Sequence, residues 1–333
     1  MFITAPNENV RMARHMNTHS TAPLRPLGKF EDRFITANGQ ERASVALAGA
    51  TTLWFNTGTL CNIECVNCYI ESSPNNDALV YLGLADVNTY LDQISARHWP
   101  VKEIGFTGGE PFMNPAMIDM MRASLNRGYR VLVLTNAMRP MMRKKVQAGL
   151  VNLLKTYSEQ ITFRVSLDHY TAEKNDEIRG KGSFEIALKG IHWLRDHGAC
   201  IAFAGRTLWH ETDIASRTGF AALFAHHEIA TDAFDPAQTV LFPEMDATVD
   251  VPEITTACWS ILNKKPTDVM CASSRMVVKR RGAAGPTVLA CTLLPYEAEF
   301  DFGPDLKDAE QDVRLNHRHC AKFCVLGGAS CSS

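Results

Sequence analysis

The chain has 333 residues, more than one small core needs, and suits one large α/β domain with a smaller appendage. Hydrophobic residues make up 46% and charged residues 21%, the mix of a soluble globular protein. A net charge of -2 excludes a global pull toward nucleic acid or an anionic membrane, so neither is expected as a partner.

Residues 1–47 have weak periodicity and read as an N-terminal extension lying on the surface, with a short hairpin at Asn38-Gly39. Met1 to Ser20 lack the apolar segment of a secretory signal. No run approaches the roughly 18 apolar residues of a membrane span. The expectation is a cytoplasmic protein.

From 48 to 245, short apolar strands alternate with helical patterns. Thr52-Leu53-Trp54-Phe55 is a strand. Leu84, Val87, Leu91 and Ile94 follow the spacing of an amphipathic helix. Glu103–Phe106 is a strand, and Pro115–Asn126 is a helix with proline in its first turn. Arg130–Leu134, Ile161–Leu167, Ala199–Ala204 and Thr239–Phe242 are further strands. Helices run near Met141–Tyr157 and Ile214–His226, and Ser183 is the expected N-cap of a helix carrying Phe184, Ala187, Leu188 and Ile191. Six such units predict a parallel sheet curled into a partial (β/α)6 TIM-like barrel. Chemistry then belongs in the loops at the C-terminal strand ends.

After Pro243 the pattern changes. Residues 243–257 are acidic and read as a linker. The Arg275–Arg280 and Thr287–Leu293 runs flank Gly282-Ala283-Ala284-Gly285 and predict a β-hairpin. Residues 246–333 are expected to form a small Cys-rich domain.

Ten cysteines in a reducing compartment point to metal binding or catalysis rather than disulfides. Cys200, in an apolar run, reads as a buried structural thiol. Cys61, Cys65 and Cys68 form a C-x3-C-x2-C run on the loop after the first strand. Three thiolates suit a soft metal, either zinc or an iron–sulfur cluster. A cube-shaped [4Fe–4S] cluster has four irons, so three cysteines leave one iron open to an outside ligand.

This run, followed at the end of the second strand by Gly108-Gly109-Glu110-Pro111, resembles the radical S-adenosylmethionine (radical SAM) superfamily. The resemblance implies an enzyme in which the [4Fe–4S] cluster binds S-adenosylmethionine (SAM). Reductive cleavage then yields a 5′-deoxyadenosyl radical that takes hydrogen from a substrate. It also implies that Gly108, Gly109, Glu110 and Pro111 bind the methionine amino group of SAM. The glycines let backbone come close to the ligand, and Glu110 accepts from the ammonium. Further SAM contacts are implied for Asn136 at the end of the third strand, for Ser166 and Asp168 at the end of the fourth, and for Arg179 toward the SAM carboxylate. Asn67 stands where the family usually has an aromatic or apolar residue facing adenine, and Tyr69 follows the third cysteine.

The tail cysteines resemble the auxiliary-cluster domains of such enzymes, called SPASM when full and twitch when shorter. Gly285 lies six residues before Cys291 rather than the typical five. The resemblance implies a second, auxiliary [4Fe–4S] cluster on Cys271 and Cys291 with two of Cys320, Cys324 and Cys331. A structural zinc knot using His317 or His319 is the competing reading, and Cys258 is either a ligand or a core thiol. The implied partners are a reductant such as flavodoxin or ferredoxin and a peptide, protein side chain or small-molecule substrate. His226-His227 read as a surface pair at a helix end, and Arg206, Trp209 and His210 follow the fifth strand as candidates to line the cavity, with a core or surface role as the alternative. A non-enzymatic iron–sulfur or zinc protein is the alternative class.

Overall fold

The computed structural model describes residues 28–244 and 249–328. A two-residue strand β1 (Ser44–Val45) precedes the first long strand, β2 (Thr52–Asn56). Then follow α1 (Leu84–Arg97), β3 (Glu103–Thr107), α2 (Met117–Asn126), β4 (Arg130–Thr135), α3 (Lys144–Tyr157) and β5 (Ile161–Ser166). Next come α4 (Ala172–Arg179), α5 (Ser183–Asp196), β6 (Cys200–Arg206), α6 (Asp213–His226) and β7 (Thr239–Phe242). The C-terminal segment adds α7 (Cys258–Ile261), β8 (Ser274–Val278), β9 (Thr287–Leu289) and β10 (Val313–Arg314).

Strands β2 to β7 pair in chain order and all in parallel, as six β/α units of a partial barrel require. Alternate side chains face opposite ways along a strand, and both faces are covered. Leu53, Phe55, Ile104, Phe106, Val131 and Val133 pack with the helices, whereas Trp54, Leu132 and Leu134 face inward onto C-terminal residues such as Met276 and Val278. The expected hairpin is β8–β9, and β8 pairs in parallel with β2, so the C-terminal segment continues the barrel sheet. No helix among the described residues is long and apolar enough to cross a membrane.

Four features differ from the expectations or were not among them. Ser183 is the first residue of α5 and not its cap. Gly182 holds the cap position with a left-handed backbone, and Asp176 of α4 accepts from the amides of Gly182 and Phe184 and the hydroxyl of Ser183. Helix α4 itself carries no apolar periodicity, because only Asn175 and Ile178 of its eight residues are buried. Cys200 is exposed at the start of β6, where its thiol points toward the Ser158 carbonyl at 3.6 Å.

The fourth, a correction, concerns the N-terminal extension, which does not simply lie on the surface. The Asn38-Gly39 turn is present, with an antiparallel bridge between Ile35 and Glu41. Beyond it, Arg42, Ala43 and Val45 are fully buried against the C-terminal segment. β1 pairs with β10, and Arg42 forms a buried ion pair with Glu253 at 2.5 Å. Glu253 also accepts from the amides of Phe30 and Ala37. The stretch read as a linker is thus a latch between the two ends of the chain.

Removing one partner of a buried pair strands the other charge, so Glu253→Ala is expected to lower unfolding free energy by about 3–5 kcal/mol, read from urea denaturation. Amide and Arg42 bonds hold the Glu253 carboxyl below its ordinary value against burial. That contribution is present above the unfolded carboxyl's pKa and is lost as pH falls through the lower folded value. The gap between native and variant should therefore narrow in acid.

Candidate active site

The loop after β2 carries Cys61, Cys65 and Cys68, and the loop after β3 packs directly beneath it. The Gly109 amide donates to the Gly58 carbonyl at 2.8 Å, and the Glu110 amide donates to the Leu60 carbonyl at 3.1 Å. This approach explains both glycines. A Cβ on Gly108 would stand 2.5 Å from the Gly58 oxygen, and one on Gly109 would stand 2.6 Å from the Leu60 carbonyl carbon. Gly108 also has φ +136°, a conformation side chains resist. The glycines therefore let backbone meet backbone, whatever else they allow at a ligand.

Glu110 lies below this junction, and its carboxylate is occupied by its own chain. It accepts from the Phe112 amide at 3.1 Å, the Thr135 hydroxyl at 2.9 Å and the Asn136 amide at 2.8 Å. Burial pushes its pKa up to about 7, although these donors oppose the shift. Neither Glu110 nor Pro111 lines the cleft above.

That cleft encloses about 1060 Å³ of empty space, solvent mouth included. Cys61, Cys65, Cys68, Asn67, Tyr69, Gly108, Gly109, Asn136, Ser166, Asp168 and Arg179 all line it, so eleven of the sequence-derived candidates meet there, ten from the C-terminal ends of β2 to β5 and Arg179 from the end of α4. The Asn136 amide nitrogen lies 3.8 Å from the Cys61 sulfur and donates to Asn62 at 2.9 Å. Asp168 pairs with Arg179 at 2.8 Å and with Arg206 at 3.3 Å. Burial alone would lower Arg179, but Asp168 together with the Cys65 and Cys68 sulfurs offsets it and holds the guanidinium above its ordinary value. Arg206 lines the cleft and donates to the Val66 carbonyl at 3.0 Å.

Trp209 sits behind the cleft. It packs edge-on against His169, whose ring stands 3.2 Å from Glu211. The Thr171 amide donates to His169 Nδ1, so Nε2 carries the proton toward Glu211. This network fastens the loop after β5 to the loop after β6. His210 does not line the cleft.

Sequence reasoning did not select Arg164, Leu293 or Phe323, which also line the cleft. Arg164 was findable, since it shares the inward face of β5 with Ser166 by strand alternation. Leu293 and Phe323 arrive from the C-terminal segment, and no local pattern announces that contact.

Burial pushes the Cys61 thiol up to about 12 and also raises Cys65. Such thiols ionise at neutral pH when a metal takes the proton's place. Three thiols lining one cleft fit a cluster that takes one thiolate per iron. Among the described residues, no three His, Cys, Asp or Glu side chains are grouped to hold a single metal ion.

A second cavity of about 340 Å³ is lined by Cys271, Cys291, Cys320 and Cys324, with Val269, Leu294, Leu315 and His319. Cys320 and Cys324 share one face of a π-helical stretch, Cys320–Leu326. Burial pushes Cys271 up to about 11 and Cys320 well above its usual value. His317 and His319 are both lowered to about 4 by burial and are neutral at pH 7. Cys258 stays outside this cavity, its sulfur 3.4 Å from the Thr255 amide. Cys331 lies outside the described residues. Four thiols in a small apolar pocket fit a second cluster.

Residues 55–211 match the family model described as the radical SAM superfamily. The chain is 32% identical over 192 residues to the antilisterial bacteriocin subtilosin biosynthesis protein AlbA of Bacillus subtilis (strain 168), covering 56% of this chain and 41% of that protein. It is 30% identical over 151 residues to the Fe-coproporphyrin III synthase of Methanosarcina barkeri (strain Fusaro / DSM 804), covering 43% of this chain and 34% of the synthase. The chain thus spans less than half the length of these relatives. Its fold is similar to that of Streptococcus suis SuiB, solved bound to S-adenosylmethionine, with a TM-score of 0.55 and 13% identity over 77% of this chain and 63% of that one.

Glu110 gives a pH test. Its folded pKa is raised, so wild-type stability relative to Glu110→Gln should fall as pH climbs from about 4.5 to about 7 and then level off. One unit is worth about 1.4 kcal/mol, so the relative loss should be roughly 3 kcal/mol, read from urea midpoints across that range. A flat difference would mean the carboxyl ionises normally where it lies.

Proposed function

We propose that this radical SAM enzyme reductively cleaves S-adenosylmethionine and uses the product radical to take hydrogen from a peptide side chain. One observation carries the reading: the thiols of Cys61, Cys65 and Cys68 line the same cleft as Gly108, Gly109, Asn136, Ser166 and the Asp168–Arg179 pair. Cys61, Cys65 and Cys68 would hold a [4Fe–4S] cluster, which would supply the electron for reductive cleavage of the sulfonium C–S bond to methionine and a 5′-deoxyadenosyl radical.

The chain's own residues bind, orient and exclude water. Arg179 meets the SAM carboxylate, with Asp168 fixing the guanidinium in place. Backbone at Gly108-Gly109, which lines the cleft, accepts from the SAM ammonium. Asn136 and Ser166 hold the ligand from the ends of β4 and β5. Asn67 and Tyr69 flank the adenine, and exposed Asn67 replaces the usual apolar contact. Leu134, Phe242, Leu293 and Phe323 give the cleft an apolar wall that keeps water from the radical. Glu110 acts from below by fixing the strand ends.

The four thiols of the second cavity hold an auxiliary [4Fe–4S] cluster, a reading supported by their common apolar pocket. A flavodoxin or ferredoxin serves as reductant. A peptide substrate is favoured over a small molecule because the bacteriocin biosynthesis protein matches over 56% of this chain, against 43% for the Fe-coproporphyrin III synthase.

Anaerobic reconstitution with dithionite and SAM tests the whole reading. The native chain should hold about eight irons in two cubane clusters and release 5′-deoxyadenosine. Cys61→Ala should lose about half the iron and all of the 5′-deoxyadenosine. Metal without SAM cleavage in the native chain would instead mark an electron-transfer or structural role.

A further inference from the structure

Arg275 on β8 has a fully buried side chain. Its Nε donates to the Ala309 carbonyl at 2.7 Å. Nη1 donates to the carbonyls of Cys271 at 2.6 Å and Ser274 at 2.8 Å, and Nη2 donates to that of Gln311 at 3.1 Å. Its guanidinium carbon lies 5.3 Å from the centre of the Phe302 ring. Four carbonyls accept from four of its five hydrogens, but none carries a full charge. Among the described residues, no carboxylate pairs with Arg275. Arg42 and Arg179 are also deep in the chain, yet they pair with Glu253 and Asp168. Buried charges are normally paired, because taking a lone one out of water is costly. The missing negative charge must come from elsewhere.

The thiol cavity offers it, since the nearby carboxylate, Asp312, is exposed to solvent and forms no ion pair with Arg275 among the described residues. The guanidinium bonds the backbone of Cys271 itself, and its charge opposes the upward push that burial puts on that thiol. It acts on Cys291 as well. Thiolates around a metal cluster are an anion, and one-electron reduction adds another negative charge. A fixed cation in a low-dielectric wall favours the more negative state. A planar fork, unlike an ammonium, can hold its charge there while bonding four carbonyls.

We propose that Arg275 is a positioning residue whose unpaired charge raises the reduction potential of the cluster on Cys271, Cys291, Cys320 and Cys324; this rests on the auxiliary-cluster reading above. Potential, rather than turnover, tests it. The full chain and its Arg275→Gln and Arg275→Lys variants are reconstituted anaerobically and titrated by electron paramagnetic resonance. At the native midpoint, Arg275→Gln should show about a tenfold lower reduced-to-oxidised ratio, or 59 mV for a one-electron couple. Arg275→Lys, which keeps a charge but loses the fork, should recover part of that shift, and the cluster on Cys61, Cys65 and Cys68 should not move.

A tail cluster with equal midpoints in native and Gln protein overturns the role of Arg275 alone. A native chain with no tail cluster, its iron unchanged by Cys271→Ala, overturns the auxiliary reading and this inference together. Should Arg275→Gln fail to fold, exposed Asp312→Asn tests the same field with opposite sign. Asp312 is the carboxylate within electrostatic reach of Arg275, and removing it should shift the midpoint upward. No shift, or a downward one, overturns the proposal.

Discussion

The Glu110 carboxylate accepts from the Phe112 and Asn136 amides and the Thr135 hydroxyl, and these bonds join the end of β3 to the end of β4. The amides of Gly109 and of Glu110 itself donate to the carbonyls of Gly58 and Leu60, joining β3 to the cysteine loop. One buried carboxylate and two glycines thus lock three neighbouring strand ends together. Every group that lines the cleft from those loops inherits its position from this lock. The lock also explains why a tetrapeptide so short can specify so much. A Cβ at either glycine would separate two backbones, and loss of the carboxylate would strand three buried donors.

The second constraint is continuity of the sheet. β8 lies parallel beside β2, so the strand leading into the first cysteine loop is also a neighbour of the hairpin between Cys271 and Cys291. Leu293 lines both cavities, which makes a single side-chain layer their common wall. Phe242 at the end of β7 stacks on Phe323 of the tail with ring centres 4.9 Å apart. The Tyr296 hydroxyl donates to the Ile70 carbonyl just past Cys68. The C-terminal segment therefore closes the open side of the barrel, and a change in its packing reaches the first cleft directly.

Much of this was legible because it is local. Six apolar strands with helical patterns between them identify a parallel sheet, and their ends locate the loops that carry Cys61, Gly108 and Asp168. What escaped is long-range or lacks apolar rhythm. Helix α4 is almost wholly polar, so no 3.6-residue stripe marks it. The α5 cap comes from Asp176, outside the usual capping window of that helix. Arg42 and Glu253 are 211 positions apart, and neither stretch announces the other. Cys200 misled because it opens its strand at the rim, where an apolar neighbourhood in sequence is not burial in space. Glu110 was legible as important, but its reach toward Thr135 and Asn136 was not.

Charge gives the two thiol cavities a common logic. At the first, one carboxylate, Asp168, meets two guanidiniums, Arg179 and Arg206, leaving one positive charge in excess beside Cys65. At the second, Arg275 supplies an excess positive charge beside Cys271 and Cys291. Without metal, burial holds Cys61 near 12 and Cys271 near 11, so these thiols are neutral and the cations stand unmatched. With thiolates bound to metal, each excess cation acquires a nearby anion in a region of low dielectric. Both ends of the chain are thus built for a charge distribution that the bare polypeptide does not provide. A metal held by these thiols would bring each cavity into electrostatic balance, and its loading would then be coupled to folding.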